Sequence, residues 1–212
     1  MNSVKVFSPA SVSNVCCGFD VLGFSIDGLG DEIIIHKSDL KGVRINNIFG
    51  HNVPLKAKEN TATVAAQSLL DYLNVNQGFD IEINKNIKPG SGIGSSAASA
   101  VGAVYGINKI LGNPLKKEQL LKFAMKGEFI SSKTAPADNV ASALYGGLIL
   151  VNNRENYNVV KLPVPKDLLA VVHHPLIEIK TSKSRSVLPK TIDINLASQQ
   201  LASMGGFIHS LH

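Results

Sequence analysis

Alternation of apolar and polar positions predicts several strands along the chain. Between residues 79 and 83 every second side chain is apolar (Phe79, Ile81 and Ile83), and the residues between them are polar. This period of two is typical of a strand with one face in water. Short apolar runs predict further strands at 4–7, 33–36, 148–151 and 168–173. The D-G-L-G-D-E segment at 27–32 predicts a turn, because it is rich in turn residues.

Helical spacing of apolar residues predicts the other elements. It extends over 60–72, where Thr61 or Thr63 can cap the helix. Further helices are predicted at 97–111, at 115–126 after a G-N-P break, and from 196 to 211. Residues 128–139 are polar, and 152–158 are typical of a hairpin turn or a boundary. The final residues carry no stop signal, so we expect the chain to end inside an element.

Composition narrows the class of protein. Of the 212 residues, 44% are apolar and 17% are charged, as in an ordinary globular protein. The apolar runs are far shorter than the roughly 20 residues of a membrane span, and the N-terminal segment lacks a secretion signal. The only two cysteines, Cys16 and Cys17, are neighbours that cannot easily form a disulfide with each other, which fits a reducing compartment. We therefore expect a cytoplasmic protein without a membrane partner.

The net charge of +5 leaves two interpretations open. It suits an anionic ligand such as a nucleotide, a nucleic acid or a phosphorylated metabolite. It is equally compatible with a basic surface that maintains solubility, because the chain has no block of consecutive Lys or Arg residues.

The segment P-G-S-G-I-G-S-S-A-A-S at 89–99 is the most informative motif. A Walker A loop requires a lysine after its last glycine, and no lysine follows Gly94. Residues 92–97 match the dinucleotide fingerprint G-x-G-x-x-[GA], but that motif needs a fully buried strand before it and an acidic residue at the end of the next strand. Here the strand before the loop has one face in water, and a second helix is predicted where the next strand would be. A glycine-rich loop at a helix N-terminus remains, where unpaired N–H groups face an anion. A tight strand-to-helix turn explains one or two of the glycines by itself.

Four segments together resemble one family. The 89–99 motif is similar to the central motif of the GHMP kinases. The opening V-K-V-F-S-P-A-S-V-S-N-V-C-C-G-F-D-V-L-G at 4–23 resembles the homoserine kinase branch of that family. Asp138-Asn139-Val140 followed by Gly146-Gly147, and then I-K-T-S-K-S-R-S-V-L-P at 179–189, are similar to the same branch in order and spacing.

The resemblance implies an α+β fold of GHMP kinase architecture. Residues 1–160 would form the N-terminal, ribosomal-protein-like, ATP-binding domain, with a mixed or antiparallel sheet, and 161–212 the beginning of an incomplete ferredoxin-like C-terminal domain. The chain would then be roughly the first two-thirds of such an enzyme, which would be a homodimer at full length.

The implied reaction moves the γ-phosphoryl group of ATP to the hydroxyl of L-homoserine, with Mg²⁺ as cofactor. Asn60 matches an adenine-side contact, although an N-cap role explains it equally well. Lys85 matches a phosphate contact, and Ser96 and Glu128 match the magnesium ligands. Without the resemblance, Glu128 would be interpreted as a surface carboxylate. The loop would hold the phosphates through its eleven residues: Pro89, Gly90, Ser91, Gly92, Ile93, Gly94, Ser95, Ser96, Ala97, Ala98 and Ser99.

The resemblance also implies the substrate contacts. Asn14 and Asp20 match residues that meet homoserine, with Asp20 on its α-ammonium group, although both residue types are also common in turns. Arg185 matches the arginine that takes the substrate carboxylate, and Thr181 lies near it and would face the γ-phosphate. Asn139 matches a contact close to the reacting hydroxyl. Glu128, Asn139 and Arg185 are the implied catalytic residues.

Two other functions are compatible with part of the sequence. Another small-molecule kinase of the family, acting on mevalonate, shikimate or a sugar, would have less use for Asp20 and Arg185, which suit an amino acid. An RNA-binding module is conceivable because the first domain resembles a ribosomal-protein fold, but the chain lacks basic runs interleaved with aromatic residues. We therefore expect small-molecule partners and no nucleic acid.

Overall fold

The computed structural model describes residues 1–132, 136–153, 156–173 and 181–212, apart from the side chains at 132, 181 and 182. Within these ranges strands and helices are interleaved along the chain. In order they are β1 (Ser3–Ser13), β2 (Leu22–Ser38), β3 (Val43–Gly50), α1 (Thr61–Leu73), β4 (Gly78–Lys85), α2 (Ser95–Ile110), α3 (Lys117–Ser132), α4 (Asp138–Tyr145), β5 (Leu148–Val151), β6 (Val159–Lys161), α5 (Thr181–Ser186) and α6 (Ile194–Ser210).

The strands form one mixed sheet with β2 at its centre. The strand order is β3-β4-β2-β5-β6, and β1 also pairs with β2. All pairings are antiparallel except that of β3 with β4. The long strand β2 pairs with β1 along both of its halves, with β4 along its second half and with β5 near its start. This arrangement confirms the predicted α+β class.

Helices α1 to α4 and the sheet enclose the main hydrophobic core. Alternate residues of β2 and β4, including Ile33, Ile35 and Ile81, are completely buried in it. Helix α2 lies very close to β2, since a Cβ added at Gly102 would be 2.4 Å from Ile33 Cγ1 and one at Gly106 would be 2.5 Å from Ile35 Cδ1. The position of α2 fixes where the glycine loop before it stands over the sheet.

Most predicted elements are confirmed. Helix α1 begins after Asn60, the G-N-P break separates α2 from α3, and residues 152–158 join the antiparallel strands β5 and β6. Two predictions are wrong. Residues 168–173 form no strand and are exposed, and the turn-rich 27–32 segment lies within the continuous strand β2. Gly30 is needed there because a Cβ would be 2.5 Å from the Ser8 carbonyl oxygen of β1.

Several elements were not predicted from the sequence, among them β3 and α4. Strand β3 escapes the period of two because the register shifts between Ile45 and Asn47, which places a bulge in the middle of the strand. Both described ends of the polar 128–139 segment belong to helices, since α3 continues to Ser132 and α4 begins at Asp138. Of the helices in the described ranges, none is both long and apolar enough to cross a bilayer.

Candidate functional site

The glycine loop joins the end of β4 to the start of α2 in a left-handed backbone conformation. Gly90, Gly92 and Gly94 have φ values of +73°, +78° and +69°. Glycine adopts this region without the cost that a side chain adds. Gly94 also has no room for a side chain, because a Cβ there would be 2.1 Å from Ser11 Oγ. The loop is therefore more than a tight turn with one obligatory glycine.

The loop presents the N-terminus of α2 to a cavity. Gly94 is the N-cap and supplies no side-chain acceptor to the first N–H groups of the helix. Such groups, together with the helix dipole, attract anions. The Ser91 hydroxyl is buried and has no hydrogen-bond partner within the described ranges. These features fit a bound polyphosphate.

A buried hydrogen-bond network around Lys85 and Asp31 supports the glycine loop. The Lys85 ammonium group donates to the carboxylate of Asp31, to the Ser95 carbonyl at 2.6 Å and to Ser99 Oγ at 2.9 Å. The other oxygen of Asp31 accepts from the backbone N–H groups of Asn86 and Ile87, both at 3.0 Å. One carboxylate thus connects the exit of β4 with the first turns of α2.

This network changes the interpretation of Lys85. Its side chain is 1% exposed, and burial lowers the pKa of the ammonium while the charge of Asp31 opposes that shift. Lysine has three N–H donors, and each has a protein partner here. The geometry therefore favours a structural role for Lys85 over the direct phosphate contact that the sequence predicted.

Ser96 and Glu128 meet across two helices beside the loop. Ser96, in the first turn of α2, donates its hydroxyl to Glu128 Oε1 at 2.9 Å. Glu128 lies on α3, and burial raises the pKa of its carboxyl to about 7. A hydroxyl and a carboxylate oxygen are the hard ligands that Mg²⁺ prefers. The pair is therefore chemically suited to hold a magnesium ion.

Asn14 and Asp20 begin and end a short loop after β1. Both have positive φ, +56° and +63°, which Asn and Asp tolerate better than most residues. Asn14 Oδ1 accepts the backbone N–H of Asp20 at 2.9 Å, which closes the loop. Asp20 itself is buried.

Asn139 is held by serines of β1 that the sequence analysis did not identify. Ser11 donates to Asn139 Oδ1 at 3.0 Å, and Asn139 Nδ2 donates to Ser13 Oγ at 3.0 Å. The Asp138 carboxylate accepts the N–H groups of Asn139 and Asn14, at 2.9 Å and 3.3 Å. Burial raises the pKa of Asp138 to about 6. The side chain of Asp138 thereby ties the start of α4 to the Asn14 loop.

Arg185 lies on α5 and forms a bidentate ion pair with Asp20. Its Nη1 donates to Asp20 Oδ2 at 3.1 Å, and its Nη2 donates to Asp20 Oδ1. The guanidinium also lies over the ring of Phe19, 5.5 Å from the ring centre. The side chain of Thr181, a predicted γ-phosphate contact on the same helix, lies outside the described residues.

One cavity of about 830 Å³ collects most of the predicted residues. The glycine loop and Asn139 are adjacent in this cavity, since the ideal Cβ position of Gly94 is 3.3 Å from Asn139 Oδ1. The cavity is lined by these members of the predicted set: Asn14, Asn60, Lys85, Pro89, Gly90, Gly92, Gly94, Ser95, Ser96, Ser99, Glu128, Asn139 and Arg185.

Some predicted residues have other roles in the structure. Ala97 and Ala98 are completely buried in the hydrophobic core, and Ile93 packs against Ala98. The Ala98 N–H already donates to the Gly94 carbonyl at 2.9 Å, so it is used within the helix. Asn60 caps α1 by accepting from Ala62 N at 2.9 Å. The N-cap role of Asn60 is therefore confirmed, and Asn60 also lines the cavity.

Sequence reasoning missed Asp31, Ser11, Ser13 and Phe19. Asp31 follows a glycine in the turn-rich 27–32 segment, and that composition gave no sign that its carboxylate is buried. The two serines lie in a strand whose side chains alternate between the core and the site, and no local pattern distinguishes them from ordinary strand residues.

Comparison with known proteins gives consistent results. A family model described as the N-terminal domain of GHMP kinases matches residues 60–147. A homoserine kinase of Chlorobium phaeobacteroides is 39% identical over 224 residues, which cover 100% of this chain and 70% of that protein. The crystal structure of homoserine kinase from Cytophaga hutchinsonii has a TM-score of 0.91 at 45% identity and covers 100% of this chain and 68% of that one.

A more distant likeness concerns the fold alone. The crystal structure of L. major mevalonate kinase in complex with R-mevalonate has a TM-score of 0.61 at 20% identity, over 77% of this chain and 53% of that one. The sheet and helices around the glycine loop are therefore shared well beyond the more similar relatives. The chain spans about 70% of the length of the curated relative from Chlorobium.

Proposed function

The chain belongs to the homoserine kinases of the GHMP kinase family, and from this membership we propose that it transfers the γ-phosphoryl group of ATP to the side-chain hydroxyl of L-homoserine. The product is O-phospho-L-homoserine, on the way to threonine. The observation that carries the proposal is the single cavity in which the phosphate loop adjoins Asn139, with Arg185 in the same lining.

The loop and the start of α2 bind the triphosphate of ATP. The first N–H groups of the helix offer hydrogen bonds to phosphate oxygens. Ser96 and Glu128 would hold Mg²⁺, which would supply positive charge to neutralise the phosphates. Glu128 would have to be ionised to act as a ligand.

The other part of the cavity positions the acceptor. Arg185 takes the substrate carboxylate, Asp20 takes the α-ammonium group, and Asn14 orders the loop between them. Asn139, fixed by Ser11 and Ser13, hydrogen-bonds the reacting hydroxyl. Holding two reactants in line supplies much of the catalysis in phosphoryl transfer, because the transition state is loose.

The transfer needs no general base from Asn139. A bond forms between the substrate hydroxyl oxygen and the γ-phosphorus, and the bond from that phosphorus to the bridging β–γ oxygen breaks. An amide cannot accept the proton of the hydroxyl. The proton therefore passes to the phosphoryl group being transferred or to solvent.

The experiment that tests the proposal is release of ADP with L-homoserine, compared with L-serine, shikimate and mevalonate. We expect ADP with L-homoserine far above the other three. ADP formed only with an alcohol that is not an amino acid would overturn the substrate assignment. Glu128→Gln should lower kcat/KM at least about tenfold by removing a magnesium ligand. Glu118→Gln, exposed at the start of the same helix, is the matched control and should leave it unchanged.

Four wider expectations belong to the same proposal. The ATP-binding domain comprises 1–160, and 161–212 begin a ferredoxin-like domain. The protein works in the cytoplasm and binds no nucleic acid. At full length it forms a homodimer, in support of which Ile194, Leu196 and Leu201 of α6 are exposed. Light scattering tests the last point directly.

A further inference from the structure

The Asp20–Arg185 ion pair joins two groups that the proposed function assigns to opposite charges of the substrate. Each oxygen of Asp20 accepts from a different guanidinium nitrogen of Arg185. The two residues are 165 positions apart in the sequence. Their side chains are 6% and 25% exposed, so the pair is largely removed from water.

The ion pair connects α5 with the loop that Asp20 ends. Among the side chains of α5 that the structure describes, those of Lys183, Ser184 and Ser186 are exposed, and Arg185 is not. The Arg185 guanidinium is further held over the Phe19 ring. Its Nε is buried and has no hydrogen-bond partner within the described ranges, so the guanidinium retains an unused donor at the cavity.

We infer that the Asp20–Arg185 ion pair closes the amino-acid site of the free protein and is exchanged for two ion pairs with a zwitterionic substrate. This inference rests on the proposed function. The substrate carboxylate replaces Asp20 on the guanidinium, and the substrate ammonium replaces the guanidinium on Asp20. Each of the two charges that lose their mutual contact thus gains an opposite charge from the substrate.

The exchange makes the ion pair a specificity device. A ligand with a carboxylate but no ammonium must break the pair and offers Asp20 no cation in place of the guanidinium. A ligand with an ammonium but no carboxylate must also break the pair and offers Arg185 no anion in place of Asp20. Truncating one partner of a buried charge pair costs about 2–5 kcal/mol. At about 1.4 kcal/mol for each factor of ten, the lower part of that range corresponds to roughly 30-fold weaker binding.

The test uses two analogues of homoserine that each lack one charge. 4-Hydroxybutyrate keeps the carboxylate and the terminal hydroxyl, and 3-aminopropan-1-ol keeps the ammonium and the hydroxyl. Equilibrium dialysis without ATP measures their affinities and that of L-homoserine. For the unaltered protein we expect both analogues to bind at least about 30-fold more weakly than L-homoserine.

Substitution of each partner gives the decisive result. In Asp20→Asn the guanidinium no longer has a competing carboxylate, so 4-hydroxybutyrate should bind about tenfold more tightly than to the unaltered protein. In Arg185→Gln the same gain is expected for 3-aminopropan-1-ol. L-Homoserine should bind more weakly to both variants. Lys183→Gln, an exposed charge on the same helix, is the control and should change none of the three affinities.

A direct contact without exchange predicts a different pattern. If Asp20 and Arg185 bound the substrate but did not compete with it, removing one would not improve binding of the analogue that uses the other. Unchanged or weaker binding of 4-hydroxybutyrate to Asp20→Asn, together with the same result for 3-aminopropan-1-ol and Arg185→Gln, would overturn the inference. Because ATP is absent, this outcome is independent of whether L-homoserine is phosphorylated.

Discussion

Replacing Lys85 by methionine tests the role of the buried network under the glycine loop. Methionine fills a similar volume but removes the ammonium from Asp31, Ser95 and Ser99. Asp31 is completely buried, so its charge would lose its cationic partner without gaining water. Breaking such a pair costs about 3–5 kcal/mol. Because Asp31 keeps two backbone N–H donors, we expect a loss of about 3 kcal/mol in unfolding free energy.

The assay is urea unfolding of the protein, with the midpoint and slope fitted for each variant. For a chain of 212 residues, 1 kcal/mol shifts the melting temperature by about 2–4 °C, so roughly 6–12 °C is expected. Combining Lys85→Met with Asp31→Asn should recover about 2 kcal/mol, since the asparagine oxygen can still accept both N–H groups and no buried charge remains. Lys88→Met, at an exposed loop position, should lie within about 0.5 kcal/mol of the unaltered protein.

The result that refutes this reasoning is a Lys85→Met variant within about 1 kcal/mol of the unaltered protein whose affinity for ATP is strongly reduced. That outcome would restore the direct phosphate contact predicted from the sequence. A double variant whose loss equals the sum of the two single losses would also contradict the account, because it would show that the two charges do not interact.

Because the pKa of Glu128 is about 7, protons compete with Mg²⁺ for its carboxylate below that pH. The apparent affinity for Mg²⁺ should therefore rise about tenfold for each pH unit up to 7 and level off above it. A flat profile between pH 5.5 and 8.5 would contradict the assignment of Glu128 as a ligand. Asn139→Asp should alter both the rate and the pH–rate profile, because it places a titratable group at the acceptor hydroxyl; identical profiles would argue against the contact. Gly92→Ala should cost about 1–2 kcal/mol of unfolding free energy for its backbone conformation alone. Gly94→Ala should cost more and also weaken ATP binding, because its Cβ would overlap Ser11 Oγ; equal losses in the two glycine variants would contradict the close approach.

Local sequence signals predicted the parts of the fold that depend on neighbouring residues. The glycine loop, the α2–α3 break and the alternating strand β4 each follow from turn chemistry or periodicity within a few residues. The run at 168–173 has the composition of a strand, but a strand also needs a hydrogen-bonded neighbour, and here Leu169 and Val171 are 88% and 96% exposed. Strand β3 was hidden by its bulge.

The candidate site was predicted through resemblance more than through physics. Glu128, Asn139 and Arg185 carry no local pattern that distinguishes them from surface residues, and their meeting depends on elements far apart in sequence. The pairing of Asp31 with Lys85 spans 54 positions, and that of Asp20 with Arg185 spans 165. Such contacts follow from the sheet topology and the placement of α5, which a single sequence does not specify.

The most direct test of the central claim is the phosphorus spectrum of the reaction product. The protein is mixed with ATP, Mg²⁺ and L-homoserine, and proton-coupled ³¹P NMR follows the transferred group. We expect a new phosphate-ester signal split by the two protons of the adjacent CH₂ group, growing at the rate at which ADP appears and absent without L-homoserine. ADP accompanied only by inorganic phosphate, with no ester signal, would contradict the proposal that this site phosphorylates an amino-acid alcohol.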